Sequence, residues 1–330
     1  MKSLLCVLFG CALAFAAVEG AVTNQTTGKP QAGVAVTLVE LGSGMKNLGT
    51  TTSGPDGKFT FPVDLQSAAP HLLQGQHQGV NYNRMVPPGT AAGALTLDVF
   101  DVSNKVKEAV VTQDMFLLEP TGTEMVVSER LVYTNTGNIT LQDPAGTVKF
   151  YVPAGVSGQI QVRIQAPQGM PITRPAEKAS QPNTYVVRYP IKPGETNVDV
   201  SYMMPMTGGQ AKFEGKILHG GGPIRFVAPS GVKLEGPFDE AGPIPGTSAT
   251  AYTLKGGSEY SLTVSGSGTL RASASPEAGQ SDDTGPGIDV RRPLIYDRLT
   301  WVLAFAFSML TVGLILLFRK EAPAARGSKR

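Results

Sequence analysis

Apolar and polar residues alternate in short runs through the middle of the chain. In one such run Val34, Val36 and Leu38 alternate with Ala35 and Thr37. Successive side chains of a β-strand point to opposite faces, so this pattern is typical of strands with one face on a core. No amphipathic helix pattern appears before residue 299, and the sequence therefore predicts an all-β central region. The other clear runs lie at 95–99, 148–152 and 160–164.

An uninterrupted apolar run occupies residues 4–17, directly after Met1-Lys2. Its length and short basic start are typical of a secretory signal and too short for an ordinary bilayer span. Ala14 and Ala16 form an A-x-A cleavage pattern, which predicts a signal peptide over 1–16.

Three alternatives remain for this N-terminal segment. Gly20 offers a second cleavage position, and an uncleaved segment would act as an N-terminal anchor. Residues 8–11 loosely resemble a lipobox, in which Cys11 would be acylated.

A second apolar run, at 299–318, contains no charged residue. A helix of that length rises about 30 Å, which matches the hydrocarbon core of a bilayer. Tyr296 and Trp301 lie at its start, where amphipathic rings favour the headgroup region. The sequence therefore predicts one C-terminal transmembrane helix over 294–319.

The short tail over 320–330 is basic and follows Arg319. Positive charge is retained on the cytoplasmic side of a membrane. We therefore expect a single-pass membrane protein with a cytoplasmic C-terminus and periplasmic or otherwise extracytoplasmic N-terminal domains. The basic residues from 319 onward are Arg319, Lys320, Arg326, Lys329 and Arg330, against the single acid Glu321.

Composition narrows the possible partners. The formal net charge of the chain is +2, and much of the positive charge lies in the tail and the signal. A near-neutral exported region lacks the basic footprint of a nucleic-acid-binding protein, so no nucleic-acid partner is expected. The two cysteines, Cys6 and Cys11, both lie in the apolar N-terminal run, so the exported domains need no disulfides.

The Ala-, Gly- and Pro-rich, cysteine-free exported region is typical of a bacterial cell-envelope protein. The glycosylation acceptor patterns that begin at Asn24 and Asn138 are then interpreted as chance matches.

The first predicted domain covers 17–118. Residues 27–30 predict a turn between two strands, and Pro55-Asp56-Gly57 predicts a tight hairpin turn. Phe59 and Phe61 follow and are expected to face the core.

With these features the domain resembles the carboxypeptidase regulatory-like family, also described as transthyretin-like or starch-binding-like. The resemblance is closest at 20–38 and 50–61 and implies a β-sandwich without catalytic residues. Members of the family usually reach a Gly-Tyr closing strand soon after the Gly-x-Phe strand. Here a longer segment intervenes, which includes His71 and the residues at 79–82.

Two further β-sandwiches are predicted, at 119–208 and 209–275, and they look distantly related to each other. Residues 150–156 parallel 226–232, and residues 191–195 parallel 254–258. Such correspondence indicates a duplicated unit. A Ser-, Gly- and Pro-rich spacer over 276–293 then leads to the membrane. The predicted fold class is thus tandem Ig-like or transthyretin-like β-sandwiches plus one C-terminal transmembrane helix.

No catalytic, cofactor-binding or metal-binding constellation appears in the sequence. His71, His77 and His219 are expected in loops or at the surface, because no His-Glu-x-x-His or Cys pair accompanies them. The glycine run at 220–222 lacks the Lys and Ser/Thr of a phosphate loop, and 265–268 is a Gly/Ser turn. Asp282-Asp283 are interpreted as solvated charge in the spacer. No enzyme activity, cofactor or metal is therefore predicted.

The sequence leaves two binding functions open, and a third hypothesis, an enzyme, would need acidic side chains that converge in a pocket. The first is a scaffold or binding module for a protein partner in the envelope; the alternative is a membrane-anchored carbohydrate-binding module. Sugar platforms need exposed aromatic rings, and the only tryptophan, Trp301, lies at the membrane. Several solvent-facing tyrosines on one concave surface would favour a glycan, and their absence would favour protein contact. The tyrosines that could serve are Tyr82, Tyr151, Tyr185 and Tyr189.

Overall fold

The computed structural model describes residues 17–270, apart from positions 43, 64, 66, 67, 92 and 94. This part of the chain is built from strands and turns, so the predicted all-β class is confirmed. Within it, no helix has the length and hydrophobicity that a bilayer crossing requires. The predicted segments that lie outside the described residues are the signal peptide (1–16), the spacer (276–293), the transmembrane helix (294–319) and the tail (320–330).

The first eight strands form two four-stranded sheets that enclose one core, and we call them the N-terminal sheet pair. They are β1 (Val18–Asn24), β2 (Lys29–Pro30), β3 (Ala35–Leu41), β4 (Met45–Thr52), β5 (Lys58–Phe61), β6 (His71–His77), β7 (Val80–Val86) and β8 (Leu95–Val99). One sheet has β1 between β2 and β5 on one side and a parallel β8 on the other; the second has the order β4-β3-β6-β7. The predicted runs at 34–38 and 95–99 are confirmed in β3 and β8.

The turn at 54–57 connects these two sheets. Phe59 and Phe61 are buried as predicted. However, β4 pairs with β3 and β5 with β1, so the predicted hairpin between them is wrong. Gly57 has a φ of +75°, and a Cβ there would lie 2.6 Å from the Val22 carbonyl oxygen. The turn residues thus let the chain cross closely over β1 into the opposite sheet.

The remaining strands form the shared-sheet region, 109–266, and a short linking pair. They are β9 (Val102–Ser103), β10 (Ala109–Pro120), β11 (Glu124–Asn135), β12 (Thr140–Leu141), β13 (Val148–Tyr151), β14 (Ser157–Gln165), β15 (Ile172–Arg174), β16 (Glu177–Lys178), β17 (Thr184–Val187), β18 (Gly194–Pro205), β19 (Gln210–Lys216), β20 (Ile224–Pro229), β21 (Val232–Glu235), β22 (Phe238–Pro243), β23 (Ala249–Leu254) and β24 (Glu259–Gly266).

An eight-stranded sheet with the order β15-β14-β18-β11-β10-β20-β23-β22 runs through the shared-sheet region. Two three-stranded sheets, β13-β17-β16 and β19-β24-β21, contribute to the same core. The predicted boundary at 118/119 falls inside β10, and the eight-stranded sheet contains strands from both sides of the boundary at 208/209. The physical reason is that β10 pairs with β11 on one edge and, in parallel, with β20 on the other.

The strand pairings of the two predicted copies correspond, except that β15, which pairs with β14, has no counterpart in the second copy. In the first copy β13 pairs with β17, which pairs with β16, while β14 pairs with β18 and β18 with β11. In the second copy β20 pairs with β23, which pairs with β22, while β21 pairs with β24 and β24 with β19. The aromatic pairs correspond as well, since Phe150 lies opposite Tyr185 and Phe226 opposite Tyr252.

Candidate functional site

A groove of about 700 Å³ lies on the eight-stranded sheet. Its floor is formed by β10, β11, β18 and β14, and Pro171 and Thr173 lie at one margin. Along β11, the buried residues Val127, Glu129 and Leu131 alternate with Ser128 and Arg130. Ser128 is half-buried and Arg130 is exposed, so the second set lies on the sheet face that is turned away from the core.

Arginine side chains lie in one row across this face. Strand register places Arg163 opposite Asp199, Asp199 opposite Arg130, and Arg130 opposite Met115. Met115 is in turn opposite Arg225 of β20, at the far end of the row. The Nε atom of Arg130 donates to Asp199 at 2.6 Å, and this hydrogen bond raises the pKa of Arg130.

The two outer arginines of the row differ from Arg130. Among the described residues, neither Arg163 nor Arg225 makes a salt bridge, and both side chains are exposed. The row therefore holds three guanidinium groups against one carboxylate, and two of the three are available to a ligand.

The next row of the same face is uncharged. Ser201 of β18 lies opposite Ser128 of β11, and Ser128 lies opposite Leu117 of β10. Leu117 and Met115 are half-buried and provide apolar surface beside the hydroxyl groups. The groove therefore combines cationic, hydroxyl and apolar groups, which suits binding of a ligand.

A buried polar cluster lies behind the groove, on the core side of the sheet. The Nε2 atom of His219 lies 3.0 Å from Oδ2 of Asp114, which is buried on β10. Glu129 of β11 is also buried, and Tyr202 and Tyr260 contribute further hydroxyl groups. The polar atoms without a hydrogen-bond partner among the described residues include Asp114 Oδ1, Glu129 Oε2, Tyr202 Oη and His219 Nδ1.

Burial dominates the electrostatics of this cluster. Burial raises the pKa of Glu129 well above its ordinary value, and the neighbouring Asp114 raises it further. Burial also raises the pKa of Asp114, while its hydrogen bond with His219 opposes that rise. The pKa values of Tyr202 and Tyr260 are raised by burial and by the two carboxyl groups.

The cavity lined by Asp114, Glu129 and His219 measures only about 10 Å³, which is close to the space for one water molecule. Within the part of the chain that the structure describes, no three His, Cys, Asp or Glu side chains are arranged to hold a metal ion. The cluster therefore has space for about one water molecule beside its buried polar groups.

His71 and His77 lie on β6 and not in the loop expected of them, whereas His219 lies in the loop between β19 and β20 as expected. His71 opens β6 and is 1% exposed, and His219 is largely covered beside Asp114. His77 lies at the end of β6, with its Nε2 atom 3.4 Å from Asp101. The structure does not bring the three histidines together.

The four candidate tyrosines do not line the groove. Tyr82 is buried and donates its hydroxyl to the Phe100 carbonyl, also lying 2.9 Å from Thr140 Oγ1. Tyr189 is buried, and Tyr185 stacks on Phe150 with ring centroids 6.0 Å apart. Tyr151 is half-buried beside Asn183. No concave cluster of solvent-facing tyrosines exists among the residues described.

A crevice of about 530 Å³ separates the N-terminal sheet pair from the shared-sheet region. Lys192 lies in it, donates to the Asn81 carbonyl and has its Nζ atom 5.2 Å from the centre of the Tyr82 ring. Burial lowers the pKa of Lys192 to about 8. The two glycosylation acceptor patterns contact each other, because Asn138 donates a hydrogen bond to the Thr26 carbonyl. Asn24 of the first pattern is buried.

No family model matches the chain. No curated protein matches it significantly. Of the features above, only the burial of Glu129 could have been inferred from the sequence. Glu129 lies between Val127 and Leu131 in the alternating pattern, at a position where an apolar residue is expected. The arginine row could not be inferred, since its members come from four strands that are distant in sequence.

Proposed function

We propose that this chain is a non-enzymatic, membrane-anchored envelope protein whose exported β-sandwich domains act as a scaffold or binding module for a protein partner. The single observation that carries the proposal is the groove on the eight-stranded sheet, with its mixed cationic, hydroxyl and apolar lining. A groove that is open along a sheet face can hold an extended chain, as in other peptide-binding proteins.

The proposed anchoring supplies the mechanism. A C-terminal helix over 294–319 and an export signal over 1–16 would hold the domains outside the cytoplasm. A spacer over 276–293 would let them meet a partner at high effective concentration, so that weak contacts suffice. The edge strands β15 and β22 add a route to binding by strand addition. The N-terminal sheet pair fits the proposed transthyretin-like, carboxypeptidase regulatory-like assignment.

Protein contact is preferred to glycan binding because of where the tyrosines lie. A glycan platform needs ring faces that are open to solvent, whereas Tyr82 and Tyr189 are buried and Tyr185 is stacked on Phe150. The carbohydrate-binding module therefore stays the less favoured alternative.

Affinity purification of the full-length protein in mild detergent, followed by mass spectrometry, tests the proposal. Ser201→Trp would fill the groove, while Ser261→Trp places the same ring at an exposed strand position outside it. We expect a stoichiometric partner that Ser201→Trp loses and Ser261→Trp retains, with both variants unfolding at the wild-type temperature. A partner that both variants retain equally would contradict the groove as the binding site.

A further inference from the structure

We infer that the groove selects an acidic, extended segment of its protein partner. This inference rests on the proposed function and adds the chemistry of the partner. It follows from the row formed by Arg163, Asp199, Arg130 and Arg225, which carries three positive charges and one negative charge across one sheet face.

The pairing within the row decides which charges are available. Asp199 accepts a hydrogen bond from the Nε atom of Arg130 at 2.6 Å, and the two side chains form an ion pair. Arg163 lies beside the same carboxylate in the strand register, without a salt bridge among the described residues. Arginine presents a planar fork that matches a carboxylate with two hydrogen bonds, so unpaired arginines favour an acidic ligand.

Other acidic side chains lie farther along the strands. Glu195 is four residues from Asp199, and Glu119 is four residues from Met115, which places each about 13 Å from the row. Glu119 is itself engaged, because its Oε1 atom accepts a hydrogen bond from the Leu270 amide at 2.7 Å. Beyond Arg225, the strand register places Glu240 opposite Thr253 and Thr253 opposite Arg225, so the positive charge of the row is concentrated at its groove end.

Spacing argues for an extended segment. Neighbouring strands lie about 4.8 Å apart, so successive arginines of the row, two strands apart, are separated by about 10 Å. A polyproline-like chain rises about 3.1 Å per residue with three residues per turn, which places every third side chain on one face at nearly this interval. Leu117 and Met115 provide apolar contacts for the residues between the acids.

The test uses fluorescently labelled peptides with the full-length protein in mild detergent. One peptide repeats Glu-Pro-Leu, and its matched versions repeat Lys-Pro-Leu and Gln-Pro-Leu. The protein variants are Arg163→Gln and Arg225→Gln. Arg188→Gln is the control, because it removes the same charge from a pair with Glu177 that lies outside the groove.

We expect the Glu peptide to bind most tightly and to lose roughly fivefold in affinity with Arg163→Gln in the groove and with Arg225→Gln at the end of the row, as suits an exposed charge contact. Arg188→Gln should bind like the wild type. Equal binding of the Glu and Lys peptides, or an equal loss in Arg188→Gln, would overturn the inference.

One outcome separates the inference from the function beneath it. If the Gln peptide binds as well as the Glu peptide and Ser201→Trp blocks both, the acidic preference is wrong while the groove stays a peptide site. If no peptide is affected by Ser201→Trp and the captured partner is retained by that variant, both the inference and the proposed function fail.

Discussion

Phe116 of β10 stacks on Phe226 of β20, with ring centroids 5.0 Å apart and planes inclined by 14°. The two residues are also direct partners in the parallel pairing that joins the two halves of the eight-stranded sheet. Phe213 and Tyr260 pack against Phe226 from the opposite sheet. This aromatic cluster therefore joins β10 to the second repeat, within the one hydrophobic core that both repeats share.

Truncation of Phe226 should destabilise both repeats together. Phe226 is fully buried, and Phe226→Ala should cost about 3–5 kcal/mol through lost burial and the cavity left behind. Hydrogen exchange measured by mass spectrometry should then rise in β24 and in β17 alike, because they share this core.

Phe59→Ala provides the matched control, since Phe59 is buried in the separate core of the N-terminal sheet pair. Its effect should leave exchange in β24 near the wild-type level. An increase with Phe226→Ala that stays within β19–β24 would show that the repeats unfold independently.

Glu129 should make stability depend on pH. Because its pKa is raised in the folded state, the folded protein binds this proton more tightly than the unfolded chain does. Stability is then greatest below the ordinary glutamate pKa of 4.5 and falls as pH rises toward the raised value. Asp114, with its pKa also raised, acts in the same direction.

Glu129→Gln should remove much of this slope and stabilise the protein at neutral pH by roughly 2 kcal/mol, because no buried charge can form. Urea unfolding at acidic and neutral pH measures the difference. Glu124→Gln, at an exposed position on the same strand, should leave the slope unchanged. A Glu129→Gln variant that parallels the wild type at every pH would contradict the prediction.

Lys192 should react unusually fast with amine-acylating reagents near pH 8. Its lowered pKa of about 8 makes a large fraction of the amine neutral there, whereas an ordinary lysine stays charged. Mass spectrometry of the acetylated protein reports the rate at each lysine. Lys105 is an exposed lysine near the same junction and serves as the reference. Equal rates at the two lysines across the pH range would refute the prediction.

The sequence predicted what depends on local alternation and missed what depends on distant pairing. The runs at 148–152 and 160–164 became β13 and β14, because alternation alone determines which face of a strand is buried. The parallel pairing of β10 with β20 joins residues about a hundred positions apart, and no local pattern encodes it. The groove depends on the registers of β14, β18, β11 and β10, and the place of Arg225 in the row depends on the parallel pairing, so neither could be predicted.

The glycine run at 220–222 is explained by its close contact with the backbone of β10, which leaves no space for side chains at Gly221 and Gly222. The run passes against the bulge of β10, where a Cβ on Gly221 would lie 1.9 Å from the Val111 carbonyl oxygen. Gly222 has a φ of +33°, and its Cβ would lie 2.4 Å from the Thr112 carbonyl oxygen. This close approach positions the adjacent His219 beside Asp114.

Gly221→Ala should therefore destabilise the protein by about 1–3 kcal/mol, because the loop must move away from β10 to relieve the overlap. The same movement should separate His219 from Asp114, which a shift of the His219 ring signals in the NMR spectrum would report. Gly220→Ala is the matched control, since no atom lies within 4 Å of its Cβ position and its φ is not in the left-handed region. Unfolding midpoints that are equal for the two alanine variants would show that the loop accommodates a side chain without strain.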